Sequence, residues 1–206
     1  GRHFPALTVP KMIEKMRQNS SRAINPGEPE MLHAHLQKRK KQGVRMMINH
    51  LGGGVLAEKE PRLRLDSNIA DMKHPEIEYI SVKISTIYSQ IHPLAFDHTV
   101  DILKKRFTEL FMVAKKHFFV RKDGTRVPKF VNLDMEEYRD LEITTAAFTK
   151  TLDQEALKDY SAGIVLQAYL PDSYNIQKEL TAWAQNRVKN GGGPIRIRIV
   201  KGANME

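Results

Sequence analysis

The chain has 206 residues, 41% hydrophobic, 28% charged and 7% aromatic, with 12 Gly, 10 Pro and no Cys. That balance supplies enough apolar surface for a folded core and excludes general disorder, a disulfide framework, a thiolate nucleophile and thiolate metal sites. The net charge of +9 is uneven: residues 1–64 carry 13 basic and 5 acidic side chains and residues 65–206 carry 20 and 19, so the bulk of the chain is balanced and no nucleic-acid partner is expected.

No apolar run approaches the roughly 18 residues of a membrane helix. The start, Gly1-Arg2-His3-Phe4-Pro5, lacks the layout of a signal peptide, and a cytoplasmic setting is the expectation. Residues 1–43 are predicted to form a short helical lead-in segment. Pro10 precedes a helical Lys11 to Arg17 pattern, Asn25-Pro26-Gly27 breaks it, and Pro29 starts the next helix. The run Lys38-Arg39-Lys40-Lys41 follows Met31, Leu32, His35 and Leu36 at helical spacing. It suits the last turn of a helix, where cations favour the dipole; no aromatic residues interleave with it as a nucleic-acid surface would require.

From residue 44 to residue 206, short apolar strands alternate with longer helical stretches, the signature of βα units on a parallel sheet. Five strands are predicted: Val44 to Asn49, Tyr79 to Ser85, Phe130 to Asp134, Ile164 to Tyr169 and Ile195 to Val200. Between them, Val100, Leu103, Phe107, Leu110, Phe111 and Ala114 form one helical stripe after a cap at Asp97. Ile176, Leu180 and Trp183 form another after Asp172-Ser173. His117 to Lys129, with Lys122-Asp123-Gly124, reads as a loop or small hairpin inserted before the third strand. A closed eight-stranded barrel takes about 250 residues. The 163 residues from Val44 onward therefore fit about five βα units, as either a small open sheet or part of a (β/α)8 TIM-like barrel.

Alternation splits each strand into two faces. Ile80, Val82, Ile84, Val131, Leu133, Ile164, Leu166, Ile195, Ile197 and Ile199 are expected under the helices, while the interior face carries Met47, Asn49, Ser81, Lys83, Asn132, Asp134, Val165, Gln167, Arg196 and Arg198. The polar members converge on the C-terminal strand ends, where α/β barrels build active sites. Taken singly, Lys83 also reads as a snorkelling surface lysine, Asp134 as a helix cap, Arg196 as its ion partner, and Gln167 as a satisfier of backbone groups. His33-x-His35 is the only close histidine pair, which argues against metal catalysis. Gly52-Gly53-Gly54 lacks the Lys-Ser/Thr of a P-loop and reads as a flexible turn.

The blocks Tyr79-Ile-Ser-Val-Lys83-Ile-Ser85, Asn132-Leu-Asp134-Met-Glu-Glu137-Tyr-Arg139-Asp140-Leu, Gly163-Ile-Val-Leu-Gln167-Ala-Tyr169 and Ile197-Arg198-Ile-Val-Lys201-Gly202-Ala203 occur in order at successive strand ends. Together they resemble the proline dehydrogenase domain of bifunctional proline utilization A flavoenzymes, from about Val44 to Glu206. The resemblance implies a distorted barrel that holds FAD and passes a hydride from the ring carbon beside the nitrogen of L-proline to the flavin, yielding pyrroline-5-carboxylate. It also implies electron delivery to a membrane quinone, a covalently linked aldehyde dehydrogenase domain, and a cytoplasmic enzyme peripheral to the inner membrane.

Carried over by motif, Lys83 resembles the lysine that pairs with the proline carboxylate, and Asp134 the active-site aspartate. Arg198 resembles the arginine at the hydride-accepting nitrogen. Met135, Gln167, Val200, Lys201, Gly202 and Ala203 resemble further flavin contacts; no metal is implied. Leu51-Gly52-Gly53 departs from the family's usual Leu-Gly-Glu, which removes a glutamate associated with substrate gating. The expectation is a fragment of such a barrel that alone neither holds FAD tightly nor oxidises proline, and that self-associates through open edges at its first and fifth strands. The alternatives are a Schiff-base aldolase using Lys83 and a non-enzymatic basic binding module in residues 1–64.

Overall fold

The computed structural model describes residues 5–20, 27–50 and 58–202 and divides the chain into two compact units, Gly1–Arg45 and Met46–Glu206. The first holds helices α1 (Pro5–Ser20) and α2 (Pro29–Lys41). Pro10 lies inside α1 rather than ahead of it, at the cost of one helical hydrogen bond. Pro29 occupies the start of α2, where its missing N–H is an orphan position in any case. The four basic residues 38–41 fill the last turn of α2 as the sequence predicts. Asn25 and Pro26 lie outside the described residues, as do Gly52, Gly53 and Gly54.

The second unit runs β1 (Met47–Asn49), α3 (Lys59–Lys73), β2 (Tyr79–Lys83), α4 (Ile84–Ile87), α5 (Phe96–Lys116), β3 (Phe118–Val120), β4 (Arg126–Pro128), β5 (Phe130–Asp134), α6 (Leu141–Leu152), β6 (Gly163–Gln167), α7 (Asp172–Lys189) and β7 (Arg196–Val200). The five long-range strands form one parallel sheet in the order β1-β2-β5-β6-β7. β3 and β4 pair antiparallel as the small inserted hairpin. The sheet curls like a barrel wall: Arg198 on β7 reaches Met47 on β1 across the concave side, Nη1 to Sδ 3.3 Å. Its architecture is that of a partial α/β barrel.

Four of the five predicted strands differ at an end: β6 runs Gly163–Gln167 where Ile164 to Tyr169 is expected, β7 starts at Arg196 rather than Ile195, and β1 and β2 are shorter. Residues 44–46 stay outside the ladder of β1. β2 stops at Lys83 because Ile84–Ile87 winds into a single helical turn, closed by Thr86 Oγ1 donating to Lys83 O (2.8 Å) and Tyr88 N donating to Ile84 O (3.0 Å). Asp97 and Asp172 are first-turn residues rather than caps. A 3-10 turn at Pro93–Ala95 leads into α5, and His92 Nδ1 caps that turn by accepting from Leu94 N at 3.2 Å.

The core lies between the convex sheet face and the helices. All six residues of the α5 stripe are buried, as are Ile80, Val131, Leu133 and Ile164 beneath them. Phe107, Phe111 and Tyr160 pack ring against ring at 5.4–5.7 Å. Ile199 departs from the predicted pattern: it is 52% exposed, since β7 is an edge strand of the sheet. The α7 stripe ends in a buried arginine, Arg187, that donates to the carbonyls of Leu152, Leu157, Lys158, Tyr160 and Gly193. Gly193 must be glycine for this junction, because a Cβ there would fall 2.5 Å from Asp159 O.

Candidate active site

Strand register assembles the site. Lys83 pairs with Asp134, and Val165 with Arg198; the β5–β6 ladder ends at Leu133 with Ile164, so by register Asp134 stands beside Val165, one residue beyond the last pair. Lys83, Asp134, Val165 and Arg198 therefore form one row across four strands, on the concave face at the C-terminal ends. Gln167 and Val200 pair one step above. Asn49, Ser81 and Asn132 lie in the row below.

Asp134 is a bonded carboxylate within the sheet, not a helix cap. Its Oδ1 takes the Arg198 guanidinium and, at 3.3 Å, Asn132 Nδ2; its Oδ2 accepts from Asn49 Nδ2 at 3.3 Å. These donors hold its side chain at 13% exposure without leaving the charge unpaired. Arg196, the partner considered from sequence, instead lies over the Phe130 ring at 4.7 Å. Lys83 pairs with Glu136, Nζ to Oε1 2.6 Å, and Glu136 Oε2 accepts from Ser85 Oγ. Gln167, 3% exposed, donates from Nε2 to the carbonyls of Met135 (3.4 Å) and Glu136 (3.2 Å), which ties β6 to the segment after β5. Its Oε1 and Arg198 Nε are buried with no partner among the described residues.

An open cavity of about 810 Å³ lies over this row. Lys83, Asp134, Met135, Gln167, Arg198, Val200 and Gly202 all line it. Lys201 does not, and Ala203 lies outside the described residues. Gly202 has φ +119°, and a Cβ there would fall 1.6 Å from Tyr169 Cδ1, so the turn after β7 admits no side chain at this position. Sequence reasoning missed the wall formed by Ser85, Tyr88, Ser89 and Ile91 and the buried carboxyl of Asp140, which burial pushes above the usual carboxylate range. Glu136 had a readable signal, two residues beyond Asp134 on the same side of an extended chain. Tyr88 had none, because the helical turn α4 breaks the strand periodicity ahead of it.

The sequence model of the family described as Proline dehydrogenase matches residues 32–206. The chain belongs to the proline dehydrogenase family. Among solved structures it is similar to proline utilization A (PutA) from Corynebacterium freiburgense, at 34% identity and a TM-score of 0.81, over 99% of this chain and 21% of that one. It is also similar to PutA from Bdellovibrio bacteriovorus inactivated by N-propargylglycine, at 28% identity and a TM-score of 0.77, over 95% and 21% of the two chains. A PutA variant from Bradyrhizobium japonicum shares the fold at 21% identity and a TM-score of 0.64, over 82% and 18%. The chain thus spans about a fifth of the length of these family relatives. No curated protein sequence matches it. Among the described residues, no helix is long and apolar enough to cross a membrane.

Proposed function

We propose that this chain is part of an FAD-dependent proline dehydrogenase that oxidises L-proline to pyrroline-5-carboxylate. The observation that carries the reading is the row Lys83, Asp134 and Arg198 at the C-terminal strand ends of a proline dehydrogenase fold, with unspent polar atoms facing one cavity. The residues present fit a flavin. Met135 and Val165 are buried apolar surface in the cavity lining, Gln167 Oε1 is an acceptor without a donor, and Arg198 is a cation fixed in place by Asp134. Bound FAD supplies the two-electron acceptor for a hydride from the proline ring.

Arg198 supplies positive charge that favours whichever redox state carries more negative charge, and Asp134 fixes where that charge sits. Lys83 supplies a cation for the substrate carboxylate, which takes the place Glu136 holds at 2.6 Å in its absence. Met135, Gln167, Val200, Lys201, Gly202 and Ala203 complete the proposed flavin contacts. In the same reading the electrons pass on to a membrane quinone, the product goes to a linked aldehyde dehydrogenase domain, and the enzyme is cytoplasmic and peripheral to the membrane. A Schiff-base role for Lys83 finds no supporting observation, since a nucleophilic amine needs a desolvated site away from carboxylates.

The test is an absorbance scan of the purified holoenzyme that carries this chain, followed by proline-dependent bleaching and chemical trapping of pyrroline-5-carboxylate. A yellow protein whose Arg198→Met variant turns over more slowly, with a lower flavin potential, is expected. An unchanged potential with normal turnover removes Arg198 from the mechanism, and a colourless protein inert to proline ends the reading.

A further inference from the structure

We propose that Arg106, on the outer helix α5 and remote from the reacting row, is a positioning residue that sets the substrate wall of the cavity. The proposal rests on the reading above. Residues 88–91, between α4 and the 3-10 turn before α5, contribute Tyr88, Ser89 and Ile91 to the cavity that Lys83 and Ser85 also line. This segment belongs to no strand, so the sheet itself does not fix it.

Arg106 fixes it in three ways. Its Nη1 donates to Ile87 O, its Nη2 pairs with Glu58 Oε1, and its guanidinium carbon lies 5.0 Å from the centre of the Tyr88 ring. Glu58 passes the hold onward, its Oε2 accepting from Ser89 Oγ at 2.8 Å. One planar cation therefore grips the carbonyl before Tyr88, the ring of Tyr88 and, through a carboxylate, the hydroxyl of Ser89. The Arg106 side chain is 16% exposed and Glu58 47%, so water competes weakly for the bond to Ile87 O and more strongly for the link through Glu58. A lysine carries the charge but not the fork or the stacking plane.

The wall so held follows Lys83 and Ser85 along the chain and lines the cavity with them, and its effect is assigned to substrate binding because Lys83 is the proposed partner of the substrate carboxylate. In the holoenzyme, Arg106→Met is expected to raise KM for L-proline about tenfold with kcat within about twofold and flavin content unchanged. Arg106→Lys is expected to bring KM only part of the way back. Ser89→Ala is expected to raise KM alone and to add little in the Arg106→Met background, because both act through one connection. Amide hydrogen exchange at residues 88–91 is expected to quicken in Arg106→Met.

The proposal is overturned if KM and the exchange rates stay at wild-type values, if kcat, KM and flavin content worsen together, or if the two substitutions act additively. Should Arg106→Met fail to fold, Arg106→Lys and Ser89→Ala decide by the same KM readout. A wild-type holoenzyme inert to proline defeats the functional reading alone; the exchange rates still decide whether Arg106 holds the segment.

Discussion

Lys129 stands directly before β5, at the end of that strand away from Asp134, and is 1% exposed. Its ammonium donates to His74 O, and Asp71 is the one nearby charge that supports it. Burial outweighs that carboxylate and pushes the Lys129 pKa down from 10.5 to about 8, a difference worth roughly 3 kcal/mol. Between pH 8 and 10.5 the unfolded chain binds more protons at this site than the folded one, so stability rises with pH through that window and the cost is fully present below it. Replacing the lysine by methionine keeps much of the volume, removes the buried charge and forfeits one hydrogen bond of about 1 kcal/mol. Lys129→Met is therefore expected to be about 2 kcal/mol more stable than wild type at pH 7 and about 1 kcal/mol less stable near pH 10.5. Urea unfolding of both proteins across that range reads the crossing. Five residue steps along the strand, about 16 Å, take the chain from Lys129 to Asp134, so proline turnover is expected to be unchanged. Stability curves that stay parallel from pH 7 to 10.5 would show that Lys129 is not a buried charge in the folded protein.

Gly202→Ala is expected to cost the holoenzyme at least tenfold in FAD affinity, because the new Cβ meets both the positive φ and the Tyr169 ring; flavin retained through gel filtration at wild-type stoichiometry counts against this. Lys83→Ala is expected to weaken proline binding by the equivalent of roughly 1.5 to 3 kcal/mol, the worth of one charge-assisted contact, with flavin content held. Loss of flavin with unchanged proline affinity would instead place Lys83 against the cofactor.

Periodicity made the sheet legible, because a parallel strand buried on one face by helices must repeat its apolar residues every second position. Val131, Leu133 and Ile164 are buried where that rule puts them, and the whole α5 stripe is buried where the helical period puts it. The strand rule failed where the burying partner is missing, at Ile199 on the edge strand, and where local hydrogen bonds overrode the strand, at Ile84–Ile87. The interior row was readable for the same reason: Lys83, Asp134, Gln167 and Arg198 stand at positions of one parity. Their pairings were not. Nothing in the spacing says that Lys83 takes Glu136 while Arg198 takes Asp134, or that Arg196 stacks on Phe130; those choices depend on register between strands far apart in sequence. The wall carrying Tyr88 and Ser89 depends on Arg106 and Glu58, which share no motif with it.

A buried arginine and a partly buried one show how saturation of polar groups separates a structural role from an open one. Arg187 spends its Nε and both terminal nitrogens on five main-chain carbonyls, a pattern that ties helix to loop. Arg198 spends Nη2 on Asp134 and Nη1 on the sulfur of Met47, a weak acceptor, and keeps a buried Nε without a partner. Leaving such a donor unmet costs about 1 to 3 kcal/mol, and the neighbouring Gln167 Oε1 and Asp140 Oδ1 are buried without a hydrogen bond in the same cavity lining, Asp140 Oδ1 facing Arg139 Nε at 3.8 Å. Of the six such side-chain atoms among the described residues, three belong to this one cavity. A fold that satisfies the buried Arg187 so fully has the means to satisfy these as well. Their concentration in one cavity, beside an ion-paired row, supports the proposed ligand site.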